Sequence, residues 1–172
     1  MATAERLPFR DNSFDAAMAV LTVHHWTDPV GGLAEMRRVA RRQVVLTFDP
    51  EITNRFWLIT DYVPSAGTIA ASTAVPLSTV VQALGASSVQ PVLIPHDCAD
   101  GFGWAYWRRP EKYLDPRVRS CISMLSLCDP IRVEEGMRRL SDDLASGAWH
   151  RRYRDLLRLD CIDGGYRLVV AG

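Results

Sequence analysis

The sequence has no Cys-x-x-Cys pair: its four cysteines, Cys98, Cys121, Cys128 and Cys161, lie far apart. That argues against a zinc knuckle or a dithiol redox motif, and leaves reduced thiols as the plain reading. Net charge is missing too, since 20 basic residues balance 20 acidic ones. No long-range field gathers nucleic acid or anionic membrane, so small-molecule chemistry is favoured over polyanion binding. The pairs Arg37-Arg38, Arg41-Arg42, Arg108-Arg109 and Arg151-Arg152 read as solvated faces or as partners of helix dipoles. No stretch is expected to reach the roughly 20 apolar residues of a membrane span, and polar residues follow Met1 where a signal peptide would be basic and then apolar. A cytoplasmic protein with no nucleic-acid and no membrane partner is expected. Gly-x-Ser-x-Gly and a Gly-rich P-loop are also absent, which removes the hydrolase and nucleotide-hydrolysis readings.

What is present is enough for a core: 172 residues, 48% of them hydrophobic, without repeats or low-complexity tracts. Residues 1–15 carry turn signals at Leu7-Pro8 and Asp11-Asn12-Ser13 and no period, so they form a loop. Ala16 to Val23 is an apolar run of strand length, suited to a strand buried on both faces of a parallel sheet. Asp28-Pro29 caps a helix through Val39, with Leu33, Met36, Val39 and Ala40 at helical spacing and a basic last turn. A strand over Gln43–Phe48 follows. This β-α-β unit implies a right-handed crossover and a mostly parallel sheet with helices on both sides.

Pro50 to Ser78 is less regular and reads as an insertion or lid. A helix over Leu77–Leu84 ended by Gly85 and a strand over Val89–Pro95 complete a second unit. Helices are expected at Gly101–Leu114, Arg117–Leu127 and Val133–Arg158, covering one face. The turn Asp163-Gly164-Gly165 leads into a last, antiparallel strand, Tyr166–Ala171.

Ala4-Glu5-Arg6-Leu7-Pro8-Phe9, then Asn12-Ser13-Phe14-Asp15, then Val23-His24-His25-Trp26-Thr27-Asp28-Pro29, and the helix with Leu33-Ala34-Glu35-Met36-Arg37-Arg38-Val39 together resemble bacterial class I S-adenosylmethionine-dependent methyltransferases. Ile94 to Cys98 and Ala105 to Glu111 resemble one bacterial subgroup of unassigned substrate. The resemblance implies an α/β fold, a partial Rossmann-like sheet retaining the family's strands four to seven, with a C-terminal helical cover. It implies one domain over 1–172: a Rossmann-like core over 1–100, a helical cover and acceptor region over 101–160, and a final strand over 161–172.

Two departures accompany the resemblance. The family's strand-one glycine loop and the acid that holds the ribose have no counterpart and would lie before Met1, which would leave an exposed sheet edge and a possible homodimer through it. Ala40-Arg41-Arg42-Gln43 stands where the family commonly has a Lys-Pro-Gly-Gly turn.

The function the resemblance implies is methyl transfer from S-adenosylmethionine to a small-molecule acceptor. The alternative is a non-catalytic methyltransferase-like fragment or interaction module without a complete cofactor site. By position in the family, Thr3, Ala4 and Glu5 border the adenine, and Ala19 and Val20 lie beside the methionine part; otherwise Glu5 is a solvated loop carboxylate and Ala19 and Val20 are sheet core. His24 and His25 follow the carboxyl end of a strand, where ligands of open α/β sheets bind, and a neutral imidazole there can take a proton from an acceptor. Otherwise one packs on Trp26 while the other bonds a backbone carbonyl. Adjacent histidines do not have the spacing of a helical zinc site, so no metal is expected. His96-Asp97, with Tyr106 or Trp107 closing over it, is a second polar cluster or else a loop cap. The stripe Phe102, Trp104, Tyr106 and Trp107 is core or a substrate cage.

Overall fold

The computed structural model describes residues 2–172. In chain order its regular elements are β1 (Phe14–Val20), α1 (Pro29–Val39), β2 (Ala40–Phe48), α2 (Pro50–Thr53), α3 (Pro64–Thr73), α4 (Leu77–Leu84), β3 (Ser88–Pro91), β4 (Ile94–Pro95), α5 (Pro116–Ser120), α6 (Ser123–Ser126), α7 (Pro130–Ala145), α8 (Ala148–Arg152), β5 (Cys161–Ile162) and β6 (Tyr166–Ala171). They form two compact units: one comprises the chain through Thr53 with Thr73–Val92 and Gly165–Gly172, the other Asn54–Ser72 with Leu93–Gly164.

The first unit is a four-stranded sheet in the order β1-β2-β6-β3. β1 and β2 are parallel, with Phe14 beside Ala40 and Val20 beside Leu46, and α1 is the crossover between them. Its start is written locally: the Asp28 side chain accepts from Gly31 N at 3.0 Å and Pro29 fills the first turn. Gly32 lets the helix approach Trp26, because a Cβ there would sit 2.4 Å from the indole. β6 runs antiparallel to both β2 and β3. Leu33 and Met36 of α1 and Val80 and Leu84 of α4 pack on Ala19, Val45, Val169 and Ala171, forming an aliphatic core. Burying each such Val or Leu side chain is worth about 1.5–3 kcal/mol.

Within the unit α1 and α4 share one face, and on the other Met18 stays 72% exposed and Val20 49%. Two expectations change in this unit. Residues 40–43 form no turn, since Ala40 is already extended and pairs with Phe14, and the buried Gln43 donates to Ala40 O at 2.6 Å. The segment Val89–Pro95 is two strands, β3 in this sheet and β4 paired antiparallel with β5 in the second unit.

The second unit is helical and aromatic, and its helices are shorter than periodicity suggests. Residues 101–109 form turns, and only Pro110–Leu114 is helical, as a 3₁₀ segment; Gly101, Gly103 and Pro110 all disfavour an α-helix. The expected 117–127 helix breaks between α5 and α6, where Ile122 turns extended and is buried. The expected 133–158 helix stops at Gly147, whose φ of +70° starts a new element. Phe56 stacks on Trp104 at 4.3 Å, Trp57 Nε1 donates to Trp107 O at 2.9 Å, and Trp107 Nε1 donates to Ile94 O at 3.2 Å.

One composition reading is also corrected. Pro64–Leu84 is long and apolar enough, with a mean hydropathy of 1.3, to cross a membrane by length and composition alone. Its Ser and Thr residues hide this in a run-length reading. In the fold the stretch is two helices, α3 and α4, separated at Pro76, and α4 supplies Val80 and Leu84 to the sheet core.

Candidate functional site

The chemistry-bearing residues of the sheet unit gather at the carboxyl ends of β1 and β2, where a parallel pair leaves its ligand crevice. Leu21, directly after β1, has φ +47° while its N–H donates to Leu46 O at 2.9 Å. A positive φ at a branched, bulky residue is strained. It turns the chain sharply into a 3₁₀ turn, Val23–His25, anchored by the buried Val23.

That turn presents both histidines. The rings of His24 and His25 lie 4.0 Å apart, and His24 meets the edge of Phe48, at the end of β2, at 5.2 Å. Half-burial pushes the His24 pKa below its ordinary 6.5, and the neighbouring His25 charge pushes it further the same way. His24 is therefore neutral at pH 7 and can accept a proton. Its packing partners are His25 and Phe48; Trp26 instead covers Gly32.

The loop ahead of β1 comes to the same end of the sheet. Arg6 N donates to Thr3 O at 3.2 Å, and the Glu5 carboxylate accepts from Asp28 N at 3.1 Å. Backbone hydrogen bonding at Asp28 leads the causes that hold Glu5 below the ordinary carboxylate range. Farther along, Glu35 accepts from Leu7 N at 2.9 Å, while Arg38 donates to Leu7 O, Phe9 O and Asp11. The Arg38 guanidinium and the Leu7 amide together pull the Glu35 pKa to about 2. The Glu35–Arg38 pair thus ties residues 7–11 to α1. It was readable as an i,i+3 pair of opposite charge, yet nothing local announced that its partners were backbone groups some thirty residues away.

Of the residues singled out from the sequence, Thr3, Glu5, His24 and His25 share this end of the sheet. Ala4 is half-buried between Thr3 and Glu5. Ala19 points into the core under α1, and Val20 points to the open face. His96 and Asp97 belong to the second unit, where His96 N donates to Asp160 O at 2.9 Å. Trp104 and Trp107 are buried there as core, and Tyr106 lies under the Arg109 guanidinium at 5.0 Å. Among the described residues, no group of three or more His, Cys, Asp or Glu side chains is placed to hold a metal ion.

For an adenosyl cofactor these residues fit in part. Thr3 to Glu5 and Val20 are held at the right end of the sheet, but a backbone cradle needs glycines that leave room for a ligand. Here Gly31 and Gly32 close on Asp28 and Trp26, and Gly165 and Gly172 close on the protein's own backbone. The described residues supply a side of such a site and no cradle for it.

A family model described as a methyltransferase domain matches residues 1–48. A solved protein of Anabaena variabilis ATCC 29413, provisionally described as a methyltransferase from an antibiotic biosynthesis pathway, is 36% identical with a TM-score of 0.89. That likeness covers 98% of this chain and 70% of the other. A Bacillus halodurans C-125 protein provisionally described as a methyltransferase is 16% identical, covering 98% of this chain and 70% of its own, with a TM-score of 0.44. The [4+2]-cyclase SpnF is 15% identical, covering 99% and 55%, also at 0.44. At that distance neither adds to the argument. No curated protein matches.

Proposed function

Because the chain belongs to the class I S-adenosylmethionine-dependent methyltransferases, we propose that it serves methyl transfer to a small-molecule acceptor carrying an O–H or N–H group, with His24 receiving the acceptor's proton. The cofactor, when bound, supplies a methyl group made electrophilic by the sulfonium. Thr3, Ala4 and Glu5 would border its adenine and Val20 would flank its methionine part, while the Ala19 side chain stays in the core. What the chain's own residues do is position and accept. The Leu21 turn and the Val23 anchor fix the imidazole pair, so that an acceptor oxygen or nitrogen meets a base of set orientation. Burial holds His24 neutral, helped by the neighbouring His25, whose ring lies 4.0 Å away. The observation that carries this reading is the closely packed, tilted histidine pair at the carboxyl end of the parallel strands, with the pKa of His24 held down. The small-molecule class is supported by the pathway named for the Anabaena relative.

A second reading has its own observation. None of the glycines at close backbone approaches leaves an empty cradle, which favours a methyltransferase-like module that does not bind the cofactor by itself.

Isothermal titration of S-adenosylmethionine and S-adenosylhomocysteine into the purified chain separates the two. Micromolar binding supports the enzymatic reading, and His24→Gln should then preserve binding while lowering the transfer rate. No heat at millimolar ligand sinks it and leaves the module.

A further inference from the structure

The Glu5 side chain is engaged by the chain itself. Its carboxylate accepts from Asp28 N at 3.1 Å, and the Thr27 amide, its own amide and the Thr3 hydroxyl also stabilise its charged form. Glu5 and Asp28 stand 23 residues apart, so the bond joins two segments that the sequence keeps separate. One is the 3–6 loop, closed by Arg6 N donating to Thr3 O at 3.2 Å. The other is the junction between the histidine turn and α1.

That junction is short. His25 N donates to Thr22 O at 2.9 Å and Trp26 N to Val23 O at 3.2 Å, which closes the turn. Three residues beyond His25, the Asp28 side chain holds Gly31 N and its carbonyl holds Gly32 N at 2.9 Å, which opens the helix. Asp28 thus has its side chain and its carbonyl committed to α1, and its amide is the group left to fix the direction from which the turn arrives. Glu5 takes that amide. The helix end is itself held in place, because Gly32 lets α1 lie against the Trp26 ring while Leu33 and Met36 bury in the sheet core. A carboxylate suits the position: it accepts strongly from amides, and its charge is favoured at the amino end of a helix.

We propose that Glu5 is a positioning residue for His24: through the Asp28 amide its carboxylate sets the orientation of the histidine turn and ties that turn to the 3–6 loop. The inference rests on the reading of His24 as the base and of residues 3–5 as the border of the cofactor. Base and cofactor border then belong to one braced piece of chain, so acceptor and methyl group meet in a common frame, as an in-line displacement requires. A second brace lies farther along α1, where Glu35 holds Leu7 N and Arg38 holds Leu7 O and Phe9 O. It fixes the following loop to the helix and leaves the histidine turn to Glu5.

The test needs no cofactor. NMR of the chain with isotope-labelled histidine follows the His24 ring through its titration, the signal being identified by its loss in His24→Gln, and amide exchange at Asp28 reports the bond itself. Glu5→Ala should speed that exchange about tenfold or more and let water reach the His24 ring, which then titrates closer to 6.5. Glu5→Gln keeps an oxygen acceptor without the charge and should restore most of the slow exchange and of the lowered titration. If Glu5→Ala fails to fold by circular dichroism, Glu5→Asp, with the carboxylate withdrawn by one methylene, takes its place with the same expected shifts. A merely structural Glu5 would lower the urea midpoint of Glu5→Ala and leave the His24 titration where it is, and that result overturns the proposal. So does unchanged exchange at Asp28, or a Glu5→Gln chain that behaves like Glu5→Ala, which would assign the effect to charge alone. A chain that binds no S-adenosylhomocysteine sinks the enzymatic reading but leaves these measurements standing, so the two fail separately.

Discussion

The two units solve the same problem with different chemistry. In the sheet unit the backbone is satisfied by ladders and by α1 and α4, and the interior is aliphatic: Val23, Leu33, Met36, Val45, Val80, Leu84 and Val169. In the second unit residues 93–129 hold no regular element longer than five residues, and side chains take over. Trp57 and Trp107 donate to main-chain carbonyls, Tyr113 OH donates to Gly103 O at 2.8 Å, and the buried Arg119 donates to Tyr113 O and Leu114 O at 2.9 and 2.8 Å. Irregular chain can be buried only if something pairs with its carbonyls. Aromatic and guanidinium groups do that while still filling space. Regular structure is thus exchanged for side chains that cannot be replaced by a merely hydrophobic residue.

The largest effect should come from Trp107→Ala, which removes a fully buried ring and its hydrogen bond to Ile94 O; a loss of about 3–5 kcal/mol is expected in urea unfolding. Leu33→Ala, in the aliphatic core, should cost about 2–5 kcal/mol. The sharper contrast lies in conservative changes. Trp107→Phe keeps most of the volume yet should still cost about 1–3 kcal/mol, since the carbonyl loses its donor, whereas Leu33→Met should cost less than about 1.5 kcal/mol. Equal costs for the two conservative changes would erase the distinction between the units. Arg119→Met should lose about 1–3 kcal/mol by the same reasoning, with two carbonyls orphaned.

Two glycines sharpen the comparison at a finer scale. A Cβ on Gly136 of α7 would lie 2.4 Å from Tyr62 O, a backbone atom, while one on Gly32 of α1 would lie 2.4 Å from the Trp26 ring. A side chain can rotate away and a packed carbonyl cannot. Gly136→Ala should therefore destabilise by about 1–3 kcal/mol, and Gly32→Ala by less, with Trp26 fluorescence shifting as the ring moves. The reverse order would mean that the π turn Leu58–Tyr62, which carries the Tyr62 carbonyl, yields more easily than the helix entry at Trp26.

Legibility followed the same division. Where period and caps agreed, the sequence was a reliable guide: Asp28-Pro29 opened α1 at its first residue, Gly85 closed α4, and β6 ran from Tyr166 to Ala171, antiparallel. Residues 40–43 misled because the family comparison put a turn there, whereas Arg41 and Arg42 are exposed at the start of β2, which pairs with β1 from Ala40 onward. The 101–158 region misled more, because apolar spacing there serves ring packing around Trp107 and Trp149 and not one helical face. At the site, Glu5 was singled out from the resemblance and His24 and His25 from their place after a strand's carboxyl end, whereas the Glu35–Arg38 tie to the 7–11 loop is a long-range set of bonds to backbone that no local pattern encodes.

The smallest predicted effect concerns the base itself. Because the folded protein holds the His24 pKa below 6.5, the unfolded chain takes up the proton first as pH falls. The contribution of His24 to stability is thus present above 6.5 and is lost as pH drops through the lower, folded value. Glu5 and Glu35 are shifted in the same direction from 4.5, so their loss begins only in more acidic solution, and measurements between about pH 8 and about pH 5 isolate the imidazole. Urea midpoints of the wild-type chain should fall across that window, and those of His24→Gln should fall less. The sheet unit would then carry a titrating group whose charge its packing resists, set against Phe48 and His25. If the wild-type and His24→Gln curves run parallel, the packing exerts no such pressure, and the reading of His24 as a neutral base loses its physical ground.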